Sequence, residues 1–191
     1  MPPSIETRAT LEDLYDVEGK AELVGGRIVR FMGTGRRPSR IAARIFISLN
    51  SHADAAGRGE AYHDGMTFGV PELASGRESF MPDVSYYDGP FPANSMRWLD
   101  RAPTFAVEVR SENDYGPAAE AEQAAKRLDY FEAGTLAVWD VDTVAELIHL
   151  YQPDDPAHPV PFARGSVAEA GPAVPGWRVA VDDVLGPIEG A

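Results

Sequence analysis

The strongest constraint on the fold lies in the second half of the chain. An apolar run, Thr104-Phe105-Ala106-Val107-Glu108-Val109, is followed by a helix-patterned stretch over 117–133 and a second apolar run over 136–141. β-branched and aromatic residues favour strands. Ala121, Ala124, Ala125, Leu128 and Phe131 recur at helical spacing, and Gly134 sits where a left-handed C′ residue is needed. A strand–helix–strand run of this length gives a right-handed crossover between parallel strands. The chain is therefore expected to be α/β or α+β, with a helix laid across one face of a sheet.

The first half adds smaller elements. A short helix is expected over 10–15, with Thr10 as N-cap and Asp13 as its partner. Strands over 21–24 and 27–31 flank Gly25-Gly26, and strands over 60–63 and 67–70 flank Asp64-Gly65; both read as hairpins. After Pro38, Ala42, Ile45, Phe46, Leu49 and Ala53 form one apolar helical face, ended by Gly57. A strand over 83–87, an irregular stretch over 88–103 and a strand over 145–151 complete the pattern. From Gln152 the chain is rich in Pro and Gly, with a weak strand over 177–181. One domain over 1–191 is expected, with its core at about 10–151 and a peripheral β tail over 152–191. Trp139 reads as core, Trp98 and Trp177 as surface or interface residues.

Composition excludes several chemistries. The 191 residues include no cysteine, so disulfides, zinc–thiolate sites and thiol nucleophiles are absent. There is no Gly-x-Ser-x-Gly elbow. His52, His63, His149 and His158 show no metal-ligand spacing. No uncharged apolar run approaches the roughly 18 residues of a membrane span, and the start of the chain lacks a signal-peptide layout. A soluble cytoplasmic protein without a membrane partner is expected.

Three charged residues stand where elements should converge. Glu108 interrupts an apolar strand, and a buried carboxylate without a partner is costly. It either faces water at the sheet edge or meets a metal or a base. Asp83 follows Pro82 at a strand start, where it can cap a turn or bind a cation. Lys126 lies on the next helix, where it can act in a site or pair with Glu122 one turn earlier. Two carboxylates on adjacent strands can share Mg²⁺, which takes oxygen ligands at about 2.1 Å, and the Val109 carbonyl can add one more. A lysine beside them suits phosphodiester hydrolysis, orienting water or steadying charge on phosphate.

Charge gives a mixed signal about partners. The net charge of −13 disfavours nucleic acid, whose phosphates attract basic surfaces. Between Leu23 and Ala53, however, six arginines (Arg27, Arg30, Arg36, Arg37, Arg40, Arg44) occur without one Asp or Glu, which leaves −19 on the rest. These arginines form either a basic face or the solvated side of a loop and helix.

Five segments in order resemble one family: Glu22-Leu23-Val24-Gly25-Gly26-Arg27-Ile28-Val29, Pro82-Asp83-Val84, Val107-Glu108-Val109-Arg110-Ser111, Lys126-Arg127-Leu128-Asp129-Tyr130-Phe131-Glu132-Ala133-Gly134 and Val138-Trp139-Asp140-Val141-Asp142. The set resembles the Uma-type restriction endonucleases of the PD-(D/E)XK nuclease superfamily. The resemblance runs from about Leu14 to about Tyr151. It implies a restriction-endonuclease-like mixed sheet flanked by helices, and an endonuclease that hydrolyses nucleic acid, DNA first, with Mg²⁺ or Mn²⁺. By resemblance, Asp83 and Glu108 hold metal, Glu22 is an additional acidic ligand and Lys126 is a lysine moved onto the helix. Arg110 stands where the wider superfamily has lysine; with Arg27, Arg37, Arg40 and Arg44 it is a candidate phosphate contact. A homodimer is also expected, symmetric pairs being common.

Two departures matter. The histidine usual at the start of the long early helix is replaced by Arg37-Pro38-Ser39-Arg40, and the segment after Glu108 is acidic, Ser111-Glu112-Asn113-Asp114. The overall charge and this acidic segment keep open a catalytically inactive nucleic-acid- or protein-binding module on the same fold; a metal enzyme acting on a small phosphorylated molecule is a third reading, which no sequence feature favours.

Overall fold

The structure, a computed structural model, describes residues 8–187. In chain order the elements are β1 (Ala21–Val24), β2 (Arg27–Arg30), α1 (Arg36–Ala56), β3 (Glu60–His63), β4 (Phe68–Gly69), β5 (Ser79–Phe80), β6 (Val84–Tyr87), β7 (Phe105–Val109), α2 (Pro117–Glu132), β8 (Ala137–Asp142), β9 (Leu147–Gln152), β10 (Asp155–Ala163), β11 (Val167–Glu169), β12 (Arg178–Ala180) and α3 (Val181–Leu185). A 3₁₀ turn, Glu12–Asp16, precedes them. There Asp13 accepts from both the Thr10 N–H and its hydroxyl, at 2.6 and 2.8 Å.

The main sheet has six strands in the order β10-β9-β8-β7-β6-β3. The expected crossover is present: β7 and β8 pair in parallel, with Glu108 opposite Asp140, and the remaining neighbours pair antiparallel. Alternation along β7 divides the two faces. Phe105, Val107 and Val109 join Ile41, Ile45, Leu49 and Ala53 of α1 in one core. Ala106 joins Phe68, Phe80, Val138 and Tyr130 of α2 in the other. Glu108 is two residues from Ala106, so it projects toward α2. The fold class is thus mixed α+β, as expected.

The β1–β2 hairpin forms through Gly25 and Gly26, at φ 58° and 69°. Both central residues of such a turn need positive φ, which glycine adopts freely. The other expected hairpin does not form. β3 pairs with β6 in the main sheet, while β4 pairs with β5 in a separate two-stranded sheet. The Asp64-Gly65 turn hands the chain between sheets because each short strand finds a longer-range partner, which local turn chemistry cannot encode.

The tail joins the sheet edge through β10. Prolines 156, 159 and 161 are tolerated there because an edge strand has a free hydrogen-bonding side. The tail also supplies core. Trp177, expected at the surface or an interface, is instead buried in the core, 4.9 Å between ring centroids from Trp139 and 5.8 Å from Phe105. Its indole N–H donates to Ser48 Oγ at 3.1 Å. Among the described residues, no helix is long and apolar enough to cross a membrane.

Candidate active site

The crossover that places α2 over one sheet face also brings its inner residues onto Glu108. Lys126 and Tyr130 are one turn apart on that helix, hence on one side of it. Lys126 Nζ lies 2.9 Å from Glu108 Oε1 and 2.9 Å from Glu22 Oε1. The Tyr130 hydroxyl donates to Glu108 Oε1 at 2.6 Å. Tyr130 is fully buried and stacks on Phe80 at 4.1 Å.

Glu22 enters from β1. Its Oε1 also accepts the Met81 N–H at 2.9 Å, and its Oε2 pairs with Arg77 Nη1. Arg77 in turn donates from Nε to Asp129 Oδ2 at 2.8 Å. Asp83 comes from the start of β6. Its N–H donates to the Val107 carbonyl at 3.1 Å, and its Oδ2 accepts the Val109 N–H at 2.8 Å, so it is pinned against β7. Its Oδ1 receives Lys20 Nζ at 2.6 Å, and the same ammonium is 3.0 Å from Asp64 Oδ1.

The side chains are graded in exposure: 1% for Glu22, 19% for Asp83 and 26% for Glu108. Glu22 is thus interior, while Asp83 and Glu108 border solvent. Burial pushes the Glu22 carboxyl up, but Lys126 and Arg77 outweigh it and hold Glu22 below its ordinary value. Glu108 is raised, chiefly by burial, with Asp83 adding repulsion and Lys126 opposing. Burial disfavours the charged form of Lys126, yet Glu108 and Glu22 prevail and keep the ammonium protonated. Burial, then Glu108, drives the Tyr130 phenol well above its ordinary value, so it stays a donor.

In this group Lys20, Lys126 and Arg77 stand against Glu22, Asp64, Asp83, Glu108 and Asp129, an excess of two negative charges. Carboxylate oxygens are the donors a hard divalent cation takes. The donor chemistry and the charge excess both fit such an ion. As the side chains lie, no three His, Asp or Glu residues among the described ones are grouped closely enough to hold a metal: Lys126 stands between Glu22 and Glu108, and Lys20 occupies Asp83.

The remaining candidates are dispersed. Val109 meets Asp83 through its N–H. Arg110 is buried; its Nε and Nη2 bind the two oxygens of Asp140 at 2.7 and 2.8 Å, and it also pairs with Glu120. It is directed into the framework and away from the acidic group, because its strand neighbour β8 presents Asp140 beside it. Arg37 pairs with Glu146, and Arg44 donates to the Leu185 carbonyl at 3.2 Å. Arg27 and Arg40 are exposed on β2 and α1. Lys20, Arg77, Asp129 and Tyr130 are not among the site residues expected from the sequence. Two of them carried a signal: Lys20 is two residues from Glu22, the same-side spacing of a strand, and Tyr130 is four from Lys126.

Comparisons with known proteins bear on the fold and the family. A solved structure titled as a "putative nuclease belonging to DUF820" from Anabaena variabilis is similar over 92% of this chain and 97% of its own, with a TM-score of 0.71 at 17% identity. No curated protein matches. A family model described as "Putative restriction endonuclease" matches residues 9–182. The chain therefore belongs to the Uma2 restriction-endonuclease-like family.

Proposed function

We propose that the protein is a Mg²⁺- or Mn²⁺-dependent endonuclease that hydrolyses phosphodiester bonds, with DNA as its substrate. The observation that carries this reading is the convergence of Glu22, Asp83 and Glu108 from three separate elements on two lysines, with negative charge in excess. Asp83 and Glu108 would hold the cation, and Glu22 would add negative charge beside them. Bound there, a divalent cation supplies Lewis acidity toward a phosphoryl oxygen and acidifies water. Lys126, charged and shared by two carboxylates, steadies negative charge on the phosphate. Tyr130 and Arg77 keep Glu108 and Glu22 oriented. Arg27 and Arg40 offer exposed positive charge for the backbone of the nucleic acid.

The purified protein, incubated with supercoiled DNA, single-stranded DNA and RNA in Mg²⁺ or Mn²⁺, is expected to cleave DNA. Asp83→Asn and Glu108→Gln are expected to lose at least about a hundredfold in rate, the scale of a removed electrostatic catalyst. Equal cleavage by these variants, or none by the wild type, overturns the reading.

A second reading, a non-catalytic binding module, draws on the lysines that separate the carboxylates and on the acidic segment after Glu108. It predicts no Mn²⁺ uptake by calorimetry that depends on Asp83 and Glu108, together with retained nucleic-acid or protein binding.

A further inference from the structure

Lys20 is placed by two constraints. It directly precedes β1, and its carbonyl accepts the Phe31 N–H at 2.9 Å, which extends the hairpin pairing by one step. Its side chain therefore shares a side with that of Glu22, two residues on, and reaches the acidic group. Its ammonium has two carboxylate partners of different character. Asp83 is fixed to the β7 backbone by two hydrogen bonds, one from its own N–H to the Val107 carbonyl and one from the Val109 N–H to its Oδ2, and its side chain is 19% exposed. Asp64 lies on the turn after β3, and its side chain is 49% exposed. The two contacts, 2.6 Å to Asp83 and 3.0 Å to Asp64, let one ammonium pass between them with a small side-chain movement.

We propose that Lys20 is a positioning residue with two stations: it closes Asp83 as a built-in counter-ion, and withdraws to Asp64 when a divalent cation takes Asp83. The inference rests on the metal-dependent reading above. A cation and an ammonium compete for Asp83 Oδ1, because both need the same lone pairs and like charges repel at contact distance. Asp64 gives the displaced ammonium a partner outside the ligand set. Lys126 differs in this respect, since both of its carboxylates are themselves candidate ligands.

Mn²⁺ binding to the full chain, followed by calorimetry, tests the idea without reference to turnover. Lys20→Met is expected to bind Mn²⁺ about fivefold more tightly than wild type, the scale of one partly exposed ion pair removed from competition. Asp64→Asn, which strands the ammonium on Asp83, is expected to bind about fivefold more weakly. In the Lys20→Met background the Asp64→Asn effect is expected to shrink below about twofold, because it acts through Lys20. Lys20→Gln, which keeps a donor to Asp83 without the charge, guards against a folding defect and is expected to tighten binding as Lys20→Met does. Unchanged or weaker binding by both Lys20 variants overturns the proposal, as does an Asp64→Asn effect of equal size in both backgrounds. If wild type takes up no Mn²⁺, the metal reading fails and this inference falls with it. If wild type binds and the Lys20 variants do not differ from it, the inference alone fails.

Discussion

The Tyr130 hydroxyl donates to Glu108 Oε1 across 2.6 Å from a ring buried against Phe80. The stacked ring cannot swing away, so the carboxylate is steered by a rigid donor. Tyr130→Phe keeps the ring and removes only this hydrogen bond. Cleavage is expected to fall about tenfold in kcat/KM, with about 2 kcal/mol of stability lost, the worth of one hydrogen bond to a charged group. Steady-state kinetics beside denaturant unfolding would check it, and an unchanged rate would assign Tyr130 to packing alone.

Lys126 is the shared counter-ion of Glu22 and Glu108. Lys126→Met leaves Glu22 buried with Arg77 and the Met81 N–H as its remaining partners. Removing one member of a buried ionic group costs about 3–5 kcal/mol. The double variant with Glu22→Gln is expected to recover at least half of that, because the stranded charge is gone. Urea unfolding of the four proteins in this cycle measures it.

Arg110 separates framework from nucleic-acid contact. Its paired contacts with Asp140 need a planar guanidinium, so Arg110→Lys is expected to lose about 2 kcal/mol of stability. DNA affinity and its salt dependence should be unchanged. Arg40→Ala, altering an exposed residue of α1, is expected to lower the slope of log affinity against log salt by about one, with stability intact. Binding titrations at several salt concentrations distinguish the two.

Glu146 ties the start of α1 to the tail through Arg37 and Arg164. Arg164 first, then Arg37, holds its carboxyl down at about 2, from an ordinary 4.5. A depressed folded-state value means that this contribution is complete above about pH 4.5 and disappears as pH falls toward 2. Glu146→Gln is expected to lower the melting temperature by about 2–4 °C at neutral pH and to flatten its fall between pH 4.5 and 2. A pair of melting-temperature profiles over that range would check the sign.

Much of the scaffold was legible because it is written in local periodicity. The 104–141 run announced β7, α2 and β8, and with them the parallel pairing. Glu108 stood out because a carboxylate in an apolar strand requires a partner. The Gly25-Gly26 turn declared its hairpin through backbone chemistry confined to two residues. The partner of β3, by contrast, lies more than twenty residues away, and the nearby Asp64-Gly65 turn points to a different pairing. Trp177 looked superficial because its flanking prolines and glycines resemble a loop, yet it completes the cluster around Trp139.

Spacing along the chain is enough to place the strand–helix–strand run over 104–141, the family resemblance and the acidic residues from which a site could be built. The counter-ions of these acids follow from the packing of elements distant in sequence. Lys20 on Asp83, Lys126 between Glu22 and Glu108, and Arg110 turned toward Asp140 are all set by how elements cross. An ion pair depends on the position of two side chains in space, and their separation along the chain leaves that position undetermined.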